Sequence, residues 1–124
     1  MAKQAMNKAF TLIELLIVVA LIGILGGIAL TRYANVTEGA RSAEAYSVLA
    51  QIVSAENVHQ LENNSYVTCT SATCADVLNI DLPSSDNFDF SVPAAITYAK
   101  ATHKGSATRD YCMNLNGGGK ITCP

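Results

Sequence analysis

At 124 residues, half of them hydrophobic, the chain has room for one modest domain. Its formal charge of −2 excludes a general electrostatic attraction to nucleic acid or to anionic membranes. Much of the apolar content lies near the N-terminus, so the remainder is a small, rather polar module that needs help beyond its core.

The first segment carries Lys3 and Lys8 and offers two starts, Met1 and Met6. Residues 10–30, FTLIELLIVVALIGILGGIAL, contain only two polar side chains, Thr11 and Glu14. As a helix rising about 1.5 Å per residue this run reaches roughly 30 Å, the thickness of a hydrocarbon core. A rod apolar on all sides cannot be wrapped by so small a remainder. The run also exceeds the 7–15 residues usual in a cleaved secretory signal, and no A-x-A-like site closes it. A carboxylate at Glu14 costs on the order of 2.5–3.5 kcal/mol near a bilayer centre and less toward an end. No basic residue lies between Leu15 and Leu30. The partner of Glu14 must therefore come from another chain or from a new amino terminus.

From Lys8 to Leu25 the sequence reads KAFTLIELLIVVALIGIL, which resembles the class III leader junction of type IV prepilins. The resemblance implies cleavage between Ala9 and Phe10 by a prepilin peptidase and N-methylation of Phe10. It also makes Glu14 the acid that neutralises the Phe10 amine of an adjoining subunit during assembly. Two positions depart from the family: Ala9 stands where Gly is usual, and Thr31 stands where a Pro is usual. Near that point lie Gly23, Gly26 and Gly27, each costing about 1 kcal/mol of helix propensity against Ala, so this stretch is the expected site of local melting.

Residues 31–63 contain no Pro and one Gly, and the helix is expected to continue through them. Steps of 100° gather Val36, Ala40, Ala43, Tyr46, Ala50, Val53, Val58 and Leu61 on one face. That face is expected to pack on a sheet. Glu38, Arg41, Glu44, Gln51, Glu56 and Glu62 fall opposite, with Leu49 and Ile52 among them as surface residues or subunit contacts. Asn63 and Asn64 supply a helix stop. Residues 66–87 read as turn-rich. Strand-like runs follow at 88–92, 96–102, 109–115 and 120–123, separated by Pro93, Gly105 and Gly117 to Gly119. One long helix followed by an antiparallel meander is α+β, and it resembles the pilin fold.

In the last hairpin Leu115 is expected to face Lys120, and Cys112 to face Cys123. Opposed Cβ atoms lie about 4.5–5.5 Å apart, within disulfide reach after small adjustment. Cys69 and Cys74 then pair by exclusion, although four cysteines allow three pairings.

The C-x4-C and C-x10-C spacings fit zinc knuckles poorly, so no metal is expected. His59 and His103 read as surface residues. Asp81, Asp86 and Asp89 read as turn aspartates rather than a calcium loop. Lys100, Lys104 and Arg109 form a basic group without interleaved aromatics, and no nucleic-acid partner follows. No nucleophile–base pair or phosphate loop is present, so neither an enzyme nor a cofactor is expected.

The chain divides into a leader (1–9), a membrane and filament-core helix half (10–30), an amphipathic half (31–63) and a sheet region with two disulfides (64–124). The reading is a structural pilin that resides in the inner membrane as a single-pass precursor and then in an extracellular filament. Its partners are other pilin subunits in a homo-oligomeric filament, the prepilin peptidase and the inner-membrane assembly platform. A type II secretion pseudopilin and a plain single-pass protein with a binding ectodomain are the alternatives.

Overall fold

The computed structural model describes residues 10–95, 97–105 and 109–124. The leader, with Lys3, Lys8 and Ala9, lies outside the described residues, as does Ile96. Two compact units divide the chain, Met1–Glu38 and Gly39–Pro124. Helix α1 spans Leu12–Asn63 without interruption, and the second unit adds α2 (Cys74–Leu78). It also holds β1 (Phe88–Ser91), β2 (Tyr98–His103), β3 (Tyr111–Asn114) and β4 (Lys120–Ile121).

The described part of the first unit is, from Leu12, a largely apolar helical rod. From Leu12 to Val36 every side chain is exposed, and this part of α1 is long and apolar enough to cross a membrane.

In the second unit α1 packs on a four-stranded antiparallel meander in the order β1-β2-β3-β4. The helix buries Ala45, Val48, Leu49, Ile52, Val53 and Glu56, an i, i+3, i+4, i+7, i+8 and i+11 series. This face is turned by about 150° from the Ala-rich face expected from the sequence, taking 100° per residue. Leu49 and Ile52 are core residues rather than surface ones, while Ala40, Ala43, Ala50, Val58 and Leu61 lie outside. Side-chain size explains the correction. Leu49 and Ile52 remove far more apolar area from water than the alanines they displace. A wheel that counts every apolar residue equally misses that difference.

The sheet contributes Phe88, Phe90, Val92, Ala99, Ala101, Met113 and Leu115 to the same core. Small Ala99 and Ala101 in the central β2 leave room for the rings of β1, whose Phe90 pairs with Ala101. Edge-to-face contacts link Tyr46 to Tyr111 and Tyr111 to Phe88, with centroids 5.3 and 5.7 Å apart.

α1 stops where Asn64 takes a left-handed φ of 56°. Tyr66 then donates to the Asn57 side chain, and the Val67 N–H donates to Glu56, which returns the chain along the helix. α2 falls inside the stretch read as turns. Its five residues are too short for a periodic signal, and Asn79 ends it in the left-handed region at φ 51°.

The last hairpin also corrects its expected register. Cys112 pairs with Ile121 and Met113 with Lys120. The Asn114 N–H donates to the Gly119 carbonyl, so residues 115–118 form the loop. Gly117 and Gly118 take φ of 96° and 65°, which a glycine pair permits at no steric cost. Leu115 leaves the strand to enter the core, with its N–H on the Thr97 carbonyl.

Candidate functional site

The site that the N-terminal sequence singles out sits at the start of α1. Phe10 precedes the helix and is 85% exposed. Thr11 caps it: the Thr11 Oγ1 accepts from the Glu14 N–H at 3.3 Å, and the Thr11 carbonyl accepts from the Leu15 N–H at 3.3 Å. A threonine in this place satisfies a donor that the first turn leaves orphaned. The T-x-x-E spacing of Thr11 and Glu14 is a capping-box signature that could have singled out Thr11 from sequence.

Glu14 is exposed and lies in the first turn, where the helix dipole favours a negative charge. The side chains surrounding it are aliphatic and uncovered: Leu12, Ile13, Leu15, Leu16 and Ile17. A carboxylate so placed is available to a cation arriving from outside the rod.

Gly23, Gly26 and Gly27 are helical, and a Cβ at any of them would meet nothing within 4 Å. Packing inside the subunit therefore imposes no requirement for glycine there. Thr31 returns its hydroxyl to the Ile28 carbonyl at 2.9 Å and remains inside the helix.

The cysteines form Cys69–Cys74 and Cys112–Cys123, with Cα atoms 4.8 and 5.2 Å apart. The first ties the segment after α1 to α2, and Cys69 also bridges Val92 beyond β1. The second closes the C-terminal hairpin although its register is shifted. Two residues of shift keep Cys123 on the same pleat face as Cys112, whereas one would have reversed it.

Other candidate groups in the second unit have structural roles. Lys100 pairs with Asp110 at 2.7 Å, and Lys104 pairs with Asp89 at 3.7 Å while donating to the Ser85 carbonyl. Two members of the basic group are thereby committed within the chain. His103 is half-buried against Phe88 rather than on the surface, and its Nδ1 accepts from the Gly105 N–H. His59 Nδ1 lies 2.9 Å from the Ser65 carbonyl.

Two glutamates assigned to the solvent face hold the fold together. Glu44 accepts from the Ser85 hydroxyl at 2.5 Å and from the Asn87 amide at 3.1 Å, fixing the approach to β1. Glu56 is fully buried; its Oε2 accepts from Val67, and its Oε1 has no hydrogen-bond partner among the described residues. Burial pushes the Glu56 carboxyl up, against smaller lowering by the Val67 N–H and by His59. Its i+11 spacing from Ala45 would have placed it on the core face once that face was centred on the larger side chains.

Residues 4–30 match the family model of the prokaryotic N-terminal methylation motif. Over 106 residues the chain is 29% identical to the type IV wide pilus major component PilA4 of Thermus thermophilus. The alignment covers 86% of this chain and 70% of that protein. No solved structure was matched. The methylation motif, the long helix on a four-stranded antiparallel sheet and the C-terminal disulfides together give the chain a pilin-like α+β fold. In sequence it is distantly homologous to that type IV pilus component.

Proposed function

We propose that this chain is a subunit of a type IV pilus, cut between Ala9 and Phe10, N-methylated at Phe10 and polymerised with copies of itself. Residues 1–9 are the leader and 10–30 form the membrane-spanning and filament-core half of α1. Residues 31–63 are its amphipathic half, and 64–124 form the sheet region. The subunit waits in the inner membrane, is driven out by the inner-membrane assembly platform and resides afterwards in an extracellular filament. No nucleic acid partner is included.

The observation that carries this reading is Glu14, an acid in the first turn of α1, whose N-terminal part to Leu30 is otherwise uncharged, largely apolar and uncovered. Methylation leaves the Phe10 amine cationic. Entering a packed apolar core without a partner would cost such a charge, or Glu14, several kcal/mol. Pairing the amine of one subunit with Glu14 of the next lowers both costs and sets axial register. The amine and Glu14 of one chain are four residues apart, so the same pair can form internally before assembly. Gly23, Gly26 and Gly27 form the helix stretch that most readily lengthens or melts when subunits pack. Outside the membrane half, the exposed Ala40, Ala43, Ala50, Val58 and Leu61 face offers a close-approach surface to neighbouring subunits.

Glu14→Ala tests the mechanism. The variant is expected to insert and be cleaved normally, because removing a charge only eases membrane residence. Filaments sheared from cells carrying it as the sole pilin should be absent or scarce, with the membrane pool undiminished. Wild-type amounts of filament would refute the role given to Glu14.

A further inference from the structure

Arg32 and Tyr33 follow the apolar run almost at once, and both side chains are exposed, Tyr33 at 71%. Among the described residues neither side chain makes a hydrogen bond, ion pair or ring contact. The positions one helical turn away from Arg32 are Ile28, Ala29, Asn35 and Val36, so no carboxylate stands at a pairing distance to hold the guanidinium.

The spacing to Glu14 is informative. Arg32 lies 18 residues beyond it within the same helix. That is five turns of 3.6 residues and about 27 Å of rise, so the two charges share one helix face near opposite ends of the rod. A hydrocarbon core is about 30 Å thick, and no charged residue lies between them. A bilayer that holds Glu14 at one margin therefore meets Arg32 at the other, where a long cationic side chain reaches the interface.

The chemistry of the pair suits that margin. A guanidinium presents a planar fork of N–H donors that matches phosphate oxygens. A tyrosine ring has an apolar body and a polar tip, and it concentrates at the headgroup level.

We propose that Arg32 and Tyr33 form an interfacial anchor in the outer leaflet, with the guanidinium on lipid phosphate and the Tyr33 ring at headgroup level. The anchor fixes the depth of α1 and so holds Glu14 at the inner margin rather than letting it slide out into the aqueous phase. It rests on the membrane-resident precursor proposed above. Leaving the membrane for a filament then requires release of these headgroup contacts, which places part of the retention of the subunit in two residues.

The chain contains no tryptophan, so one introduced residue reports depth cleanly. Val19→Trp places it between the bilayer centre and the Glu14 margin. The full-length protein carrying this reporter is reconstituted in phosphatidylglycerol vesicles and quenched with lipids brominated at graded depths. Adding Arg32→Ala and Tyr33→Ala should move the reporter away from the bilayer centre by about one turn, ~5 Å. Arg32→Lys in place of Arg32→Ala, with Tyr33 intact, should restore the parental depth. In vesicles of digalactosyl diacylglycerol, which has no phosphate, the parent should adopt the depth of the double variant. An unchanged depth in the double variant, with insertion intact, overturns the anchor and leaves the membrane reading standing. Equal parental depths in the two lipids overturn phosphate as the partner. A reporter that no brominated lipid quenches is not inserted, which overturns the membrane reading and the anchor with it.

Discussion

Glu56 shows what a single carboxyl does to this small domain. It is fully buried beside the return of the chain after α1, and it satisfies the Val67 N–H through one oxygen while the other has no partner among the described residues. Desolvation raises its folded-state pKa above the unfolded value. In the window between the two pKa values the folded state binds more protons than the unfolded one. Stability from this group is thus fully present below about pH 4.3, the usual glutamate value. It is lost as pH rises from there through the raised folded pKa. Glu56→Gln keeps an acceptor for Val67 and removes the titration. Unfolding followed by circular dichroism from acid to neutral pH should show this decline in the parent and a flatter profile in Glu56→Gln. Identical profiles would show that Glu56 is not titrating in a desolvated site. Glu14 faces the contrary situation, exposed in the first turn of α1.

Helix α1 has two apolar faces in its second half, and only one belongs to the subunit core. The Ala45, Val48, Leu49, Ile52, Val53 face is buried on the sheet, while the Ala40, Ala43, Ala50, Val58, Leu61 face is left outside. Leu49→Ala should destabilise the detergent-solubilised chain by about 2–5 kcal/mol, because it opens a cavity in the core. Leu61→Ala, at 86% exposure, should stay within about 0.5 kcal/mol. Urea titration of both variants checks the assignment of faces, and equal losses would contradict it. The existence of the helix and the four strands was legible, because turn residues punctuate strongly biased runs. The phase of the helix was not legible, since two competing apolar stripes differ in side-chain size rather than in number. Hairpin register also escaped, because Gly117 to Gly119 fit several loops and the choice falls to Leu115, whose burial is a tertiary event. α2 escaped for want of length, and Glu56 because acids are assigned outward by default.

At the scale of the whole molecule, the chain joins an apolar rod to a small sheet domain closed by two disulfides. A domain of this size gains roughly 2–3 kcal/mol from each short disulfide loop in the chain-entropy model, which suits an oxidising extracytoplasmic site. Among the described residues, nothing covers the rod's apolar window. Lipid and then neighbouring subunits are the two environments able to cover it, and the passage from one to the other is the function proposed. In the proposed maturation, removal of Lys3 and Lys8 with the leader would take the formal charge from −2 to −4. It would also create the amine that the proposed assembly pairs with Glu14. Without that cut the amine does not exist, and the acid in the first turn has no partner from a like chain. The most direct test is therefore the intact mass of the protein extracted from membranes. The account predicts a chain that begins at Phe10, carries one methyl group on its amino terminus and retains both disulfides. A membrane-extracted chain that keeps its leader, begun at Met1 or Met6 and unmethylated at Phe10, would contradict it.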